Sequence, residues 1–219
     1  MLILNFRSFA VVGLSVIILL FAAISPVLAE TSLDNFFIAV RNGKDGEVKT
    51  WLAKGVDVNA RDERGETPLM LAVRTGDHPL VVSALLEAGA KSYLRNPYGE
   101  TALMLAAFHE RSNSVAVLLE RGTDIGEANR MGWTPLIYAA YAGHTAIVAQ
   151  LLAYGAPADS SSGNGLTALM LAARNGHFDT VKLLLAKGAD RARKNGAGLT
   201  ARELALSVGN SDIAAVLAP

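Results

Sequence analysis

The sequence predicts an all-α solenoid of stacked helix–turn–helix units, and three observations lead to this fold class. A seven-residue phrase that begins with threonine recurs at steps of 34, 33, 33 and 33 residues. A second, leucine-rich phrase follows at a nearly fixed offset. Glycine recurs at fixed places within each period, as expected where the chain turns sharply. A period of this length indicates one supersecondary unit per repeat.

The first phrase predicts the opening helix of each unit. Its copies begin at Thr67, Thr101, Thr134, Thr167 and Thr200, the last being degenerate. Threonine is a favoured N-cap, and proline costs no hydrogen bond at the first helical position, where Pro68 and Pro135 stand. A glycine precedes each threonine by two residues: Gly65, Gly99, Gly132, Gly165 and Gly198.

The second phrase predicts a second amphipathic helix, with residues 181–190 as its clearest copy. Glycines mark the ends of both helices, since a left-handed residue after a helix is easiest for glycine. The first helices are expected to stop at Gly43, Gly76, Gly143, Gly176 and Gly209. The second helices are expected to stop at Gly55, Gly89, Gly122, Gly155 and Gly188.

These two phrases together resemble the ankyrin repeat over residues 34–219. The resemblance implies about five to six repeats including caps, with β-turn fingers projecting from one side of a concave groove. One unit cannot bury its apolar stripe alone, so stacking makes the core. The expected units are 34–66, 67–100, 101–133, 134–166 and 167–199, followed by a partial cap at 200–219.

The sequence departs from the family pattern at several positions. The usual histidine of the first phrase is replaced by Met70, Met104, Ile137 and Met170. Glu110 stands where a helix-ending glycine is expected, at a cost of about 1 kcal/mol if its backbone is left-handed. The second unit carries one extra residue near residues 77–79, which predicts a bulged turn.

Residues 1–29 read as a secretory signal peptide. Arg7 is their only charge, a long apolar run follows, and Pro26 and Ala29 suit cleavage after Ala29. Residues 30–33 then form a short linker. The alternative is an uncleaved anchor, because residues 8–28 are long enough to span a bilayer. Both interpretations place the repeats across the membrane from Arg7, in the periplasm of a bacterium.

Composition excludes several functional classes. The chain has no cysteine, so disulfide scaffolds, Cys-ligated metal sites and thiol nucleophiles are excluded. Twenty Lys and Arg balance twenty Asp and Glu, which leaves no excess positive charge for nucleic-acid binding. Hydrophobic residues make up 51% of the chain, so a folded core is expected rather than disorder.

Motifs for catalysis or cofactors are not found. Two G-x-G-x-x-A matches, at residues 163–168 and 196–201, lie 33 residues apart in register with the repeat, so they are interpreted as turns. His144 and His177 follow helix-ending glycines in different units and are interpreted as structural. We therefore predict no catalytic residues, no metal and no cofactor. The alternative is an enzyme whose acid–base pair forms only on folding.

Five positions of each unit are expected to face the groove, as the family resemblance implies. Three lie in the finger: the two residues before the glycine that precedes each threonine, which we call the finger glycine, and the one residue after it. The other two positions end the first helix. An aromatic centre with charged flanks is typical of a protein interface. The alternative is that these aromatic side chains only pack on each other. The predicted partner-binding residues are Arg64, Glu66, Arg74, Tyr98, Glu100, Phe108, His109, Arg130, Met131, Trp133, Tyr141, Leu166 and Arg174.

The sequence thus predicts a non-enzymatic protein–protein interaction module that is exported and monomeric. It would bind a protein partner and no nucleic acid, and it would meet the membrane only through the signal segment. An inhibitor or immunity protein that neutralises a periplasm-acting toxin or enzyme would use the same groove and is the alternative.

Overall fold

The computed structural model describes residues 32–218, and the predicted signal segment lies outside this range. Within it, all regular structure is helical, apart from one isolated bridge between Ser161 and Thr167. The helices are α1 (32–41), α2 (Asp45–Ala53), α3 (Pro68–Thr75), α4 (Pro79–Glu87), α5 (Ala102–Phe108), α6 (Ser112–Glu120), α7 (Pro135–Ala142), α8 (Thr145–Ala153), α9 (Ala168–Arg174), α10 (Phe178–Ala186), α11 (Ala201–Ser207) and α12 (Ser211–Val216).

The helices form two parallel rows. The first helices of successive units pack in the order α3, α5, α7, α9 and α11, and the second helices pack in the order α2, α4, α6, α8, α10 and α12. From the second unit onward, each second helix also packs on the first helix of its own unit, as α8 does on α7. This arrangement confirms the all-α repeat solenoid.

The threonine caps are formed as the sequence predicts. In each of the five copies, the threonine hydroxyl accepts a hydrogen bond from the backbone N–H three residues later, at 3.3–3.5 Å. At Thr200 the Glu203 carboxylate also accepts from the Thr200 N–H at 2.7 Å, which completes a capping box. The repeated phrase therefore defines where each first helix begins.

The core runs through the first helices. Every residue of α3 from Pro68 to Val73 is buried, because neighbouring helices cover α3 on several sides. The apolar replacements Met70, Met104, Ile137 and Met170 are at most 1% exposed. Hydrophobic packing along the stack thus takes the place of the polar link that the family's histidine usually supplies.

The ends of the first helices show one departure from the expected glycine turns. Gly143 has φ +79° and ends α7 in the left-handed region, whereas Gly76 is extended at φ −170°. The extra residue of the second unit explains the difference, since the chain from 76 to 78 runs on without a tight turn. Glu110 has φ +60° and is the one non-glycine residue with positive φ in residues 32–218.

A ladder of hydrogen bonds links neighbouring units. In four units, the residue before the second helix reaches back to a carbonyl of the first helix of the preceding unit. His144 Nε2 donates to the Phe108 carbonyl and His177 Nε2 donates to the Tyr141 carbonyl, both at 2.9 Å. A carbonyl can only accept, so each Nε2 carries the hydrogen. Arg111 and Asn210 make the same link in their units.

The last unit closes the stack with polar side chains. Arg202 and Glu203 are exposed, while their counterparts one unit earlier, Leu169 and Met170, are buried at 1%. A terminal repeat needs such a polar outer face. No helix within residues 32–218 has both the length and the apolar composition to span a membrane.

Candidate partner-binding surface

The fingers are fixed by a recurring side-chain acceptor. Asn129 Oδ1 accepts from the backbone N–H groups of Met131 and Trp133, both at 2.9 Å. Short polar side chains favour such local turns. Equivalent acceptors precede every finger glycine by three residues; they are Asp62, Asn96, Asn129, Ser162 and Asn195. The spacing of the glycines predicts the fingers but not this column of acceptors, although its polar residues recur in register with the repeat.

Neighbouring fingers are also bonded to one another. Gly163 N–H donates to the Met131 carbonyl and Gly196 N–H donates to the Asn164 carbonyl, both at 2.8 Å. A Cβ at Gly132, where φ is +78°, would lie 2.7 Å from the Gly163 nitrogen. Only glycine therefore permits this approach. The fingers that contain Gly132, Gly165 and Gly198 form one connected edge of the groove.

Four aromatic side chains, Phe108, Trp133, Tyr138 and Tyr141, form a cluster on the concave side, which we call the aromatic cluster. Trp133 lies 5.2 Å from both Tyr138 and Tyr141, measured between ring centroids. Phe108 lies 6.5 Å from Tyr141 in a stacked arrangement and 5.8 Å from Tyr138 edge to face. These geometries are favourable for aromatic pairs. Packing between units is therefore one function of Phe108, Trp133 and Tyr141.

A network of hydrogen bonds around the Tyr138 hydroxyl holds the aromatic cluster in place. The Tyr138 hydroxyl donates to Glu100 Oε1 at 2.5 Å and accepts from Asn129 Nδ2 at 2.9 Å. Asn96 Nδ2 donates to the other carboxylate oxygen of Glu100 at 2.8 Å. Burial raises the pKa of Tyr138, and its hydrogen bond to the Glu100 carboxylate raises it further. The finger acceptors Asn96 and Asn129 are thereby tied to the groove floor.

Several of the predicted contact residues are exposed to solvent. Tyr98 is 73% exposed, Met131 is 60% exposed and Phe108 is 37% exposed, whereas Trp133 and Tyr141 are half-buried. Tyr98 and Met131 stand one residue before the finger glycines of adjacent units. Large apolar side chains at the tips of fixed fingers are available for contact with another protein.

Two of the predicted contact residues are buried in the structure. Leu166 is 8% exposed and belongs to the core, and Glu66 is 7% exposed. The Glu66 carboxylate accepts from Arg74 Nε at 2.7 Å, so Glu66 and Arg74, both predicted contact residues, are paired with each other. The role of Leu166, Glu66 and Arg74 toward a partner stays a prediction, and neither Leu166 nor Glu66 offers much exposed area for contact.

The remaining predicted residues differ in how they are held. His109 is half-buried with its ring 5.1 Å from that of Phe108. Burial lowers the pKa of His109, and the charges of Arg111 and Arg74 lower it further. Arg64 and Arg130 are exposed and Arg174 is half-buried.

Within residues 32–218, the acidic and histidine side chains are not gathered into a metal-binding group. In the range 32–218, no group of three or more His, Asp or Glu side chains could hold a metal ion. The imidazole Nε2 atoms of His144 and His177 are engaged with backbone carbonyls. What the arrangement offers is a preformed surface for contacts.

Sequence comparisons identify the family to which this chain belongs. A family model for ankyrin repeats in three copies matches residues 36–129 and again residues 136–219, and a second ankyrin-repeat model matches residues 111–152. The chain therefore belongs to the ankyrin-repeat family, whose members are generally protein–protein interaction modules.

Among curated proteins, an ankyrin repeat-containing protein of Schizosaccharomyces pombe is similar to part of the chain. The two are 37% identical over 75 residues, which cover 34% of this chain and 36% of the relative. The match thus spans about a third of the relative's length.

Proposed function

We propose that this chain is a non-enzymatic, monomeric module that binds a protein partner through its concave face and fingers. The observation that carries the proposal is the exposure of Tyr98 and Met131, each of which stands one residue before the glycine of its finger. Aromatic and methionine side chains are enriched in protein interfaces. The proposal assigns no cofactor and no nucleic acid.

The rigidity of the surface supports this function. Side-chain acceptors hold the fingers, and backbone hydrogen bonds join the Met131, Gly163 and Gly196 fingers into one edge. A surface that is already ordered loses little conformational entropy when a partner binds. The buried network beneath Tyr138 fixes the floor in the same way.

The proposed site of action is the periplasm. This part rests on the signal-like sequence of residues 1–29, with its apolar run, Pro26 and Ala29. N-terminal sequencing of the protein from its native membrane fraction and from the soluble periplasmic fraction tests it. A soluble chain that begins at Glu30 is expected, whereas a chain that begins at Met1 contradicts cleavage.

Affinity capture tests the binding surface. Immobilised protein is incubated with a periplasmic extract of its source, and bound proteins are identified for wild type and for the double variant Tyr98→Ala/Met131→Ala. A partner retained by wild type and lost from the variant is expected. The matched control is Leu80→Ala/Tyr154→Ala, since Leu80 is 66% exposed and Tyr154 is 51% exposed outside the groove positions. Equal loss in both variants contradicts the proposed surface.

A further inference from the structure

Charge is unevenly distributed along the concave face. The groove positions from residue 130 onward, taken at the same offsets from each finger glycine and at each first-helix end, contain two arginines, Arg130 and Arg174, and no carboxylate. The complete set is Arg130, Met131, Trp133, Tyr141, Ala142, Gly163, Asn164, Leu166, Arg174, Asn175, Gly196, Ala197, Leu199, Ser207 and Val208.

The carboxylates of the other half of the groove are mostly engaged within the protein. Glu66 is buried against Arg74, and both oxygens of Glu100 accept hydrogen bonds from Tyr138 and Asn96. Glu63 is exposed, but it adjoins the exposed Arg64. Among the groove positions, negative charge therefore does not extend beyond Glu100.

Arg130 and Arg174 differ from the arginines that hold the stack together. Arg61 and Arg95 donate to backbone carbonyls of the adjoining finger and unit, and Arg121 pairs with Glu87. Among residues 32–218, no side-chain hydrogen bond or ion pair is formed by the guanidinium of Arg130 or Arg174. These two cations are available to a partner.

The positive charge continues into the last finger. Arg193 and Lys194 are exposed immediately before the finger that starts at Asn195. Lys194 and Arg202 are close enough to Glu203 to lower the pKa of its carboxyl, after the larger effect of the Thr200 hydrogen bonds. Clustered charge of one sign attracts an oppositely charged partner and guides its approach.

We infer that the partner presents an acidic segment to this groove. In this arrangement, an apolar side chain of the partner lies against Met131 and Tyr141, and carboxylates that follow it along the stack pair with Arg130 and Arg174. The guanidinium fork suits a carboxylate because it can donate two parallel hydrogen bonds. The inference rests on the proposed function and adds the chemistry of the segment recognised.

A random twelve-residue peptide library displayed on phage tests the inference. The library is selected against wild type, against Arg130→Glu/Arg174→Glu, and against the control Lys91→Glu/Lys187→Glu. The control makes the same change in net charge at exposed lysines outside the groove positions. Selected peptides are then synthesised, and their affinity is measured at low and high salt.

The expected result is a set of peptides enriched in Asp and Glu beside one aromatic or aliphatic residue. Their affinity should fall about tenfold or more in the Arg130→Glu/Arg174→Glu protein, stay within about twofold in the control, and weaken with salt. The Tyr98→Ala/Met131→Ala variant should also lose them.

Other outcomes separate this inference from the proposed function. Peptides that need Tyr98 and Met131 but carry no excess of acidic residues overturn the inference and leave the binding function standing. A library that yields no peptide dependent on the groove contradicts both. A twelve-residue oligothymidylate is measured in parallel, and tighter binding of this oligonucleotide than of the acidic peptides overturns the assignment to a protein segment.

Discussion

Asp77 in the second unit caps a helix of the third unit through Ser114. Asp77 Oδ1 accepts from the Ser114 backbone N–H at 2.9 Å and from the Ser114 hydroxyl at 2.7 Å. Oδ2 accepts from the backbone N–H of Asn113 at 3.1 Å and from its side-chain amide at 3.0 Å. The residue at the local N-cap, Arg111, provides no side-chain acceptor for α6. The bulged turn thus supplies an N-cap between units.

Replacing Asp77 by alanine should destabilise the protein by about 0.5–2 kcal/mol, the usual effect of losing an N-cap acceptor. Two N–H groups at the start of α6 would lose their protein partner. Urea unfolding followed by far-UV circular dichroism measures the change. Asp124→Ala is the control, because the Asp124 carboxylate accepts from the nearby Gly126 N–H in a loop. Equal stability of the Asp77→Ala protein and wild type would refute the capping role.

The cap should also depend on pH. Burial raises the pKa of Asp77, but the hydrogen bonds from Ser114 and Asn113 together outweigh burial and bring the pKa below the usual value of an aspartate. A carboxyl with a lowered folded-state pKa stabilises the native state above its unfolded pKa and loses that contribution as pH falls through the folded pKa. The difference in unfolding free energy between wild type and Asp77→Asn should therefore be constant from about pH 5 to 7 and shrink below about pH 3.8. A difference that is unchanged down to pH 2 contradicts this.

Glu110→Gly should stabilise the protein by about 0.5–1 kcal/mol, because the left-handed backbone at φ +60° strains a residue with a Cβ. The gain is reduced by the loss of the exposed Glu110 contact with His144, at 3.8 Å, which is worth little. Thermal unfolding measures it. The same change at Glu120, the last residue of α6, should destabilise instead. A lower melting temperature for Glu110→Gly would show that strain is not relieved.

Tyr138→Phe should cost about 1–3 kcal/mol, since Glu100 Oε1 and Asn129 Nδ2 lose the hydroxyl that they share as a hydrogen-bond partner. Urea unfolding measures this, with Tyr93→Phe as a control at a 59% exposed position. Absorbance at 295 nm gives a second measurement. Because the pKa of Tyr138 is raised, the ionisation that is lost in Tyr138→Phe should lie above the usual pH range of a tyrosine. If Tyr138→Phe instead removes an absorbance step in the usual pH range of a tyrosine, the result contradicts the burial of the Tyr138 hydroxyl.

The groove residues should divide into two classes by their effect on stability. Trp133→Ala removes contacts to Tyr138 and Tyr141 and should destabilise by about 2–4 kcal/mol. Tyr98→Ala and Met131→Ala should each change stability by less than about 0.5 kcal/mol, because their side chains are mostly exposed. Calorimetry on the single variants tests this. A large loss at Tyr98 would mean that its ring supports the fold.

Much of the fold could be predicted from local sequence alone. The threonine at the start of each first helix and the glycine after each second helix act through hydrogen bonds and backbone angles within a few residues, so their spacing along the chain is sufficient evidence. Glu110 was recognised for the same reason, since the repeat shows which position requires a left-handed residue.

The candidate surface could be predicted only in outline. Register placed Phe108 and Tyr141 in one column, but not the stacking between them or their contacts with Trp133. It also could not show that Leu166 is covered or that Glu66 pairs with Arg74. Those outcomes depend on side-chain length and on how closely successive units approach.

The sequence by itself determined the repeat, the positions of the caps and the set of side chains that can reach the groove, because these follow from a period of 33 residues. Only the tertiary structure decided which of those side chains are free. Asp77 became an N-cap for another unit, and Glu100 became the acceptor for Tyr138, through contacts between residues 37 and 38 positions apart. Such contacts form when stacking brings the units together, and no pattern within one unit specifies them.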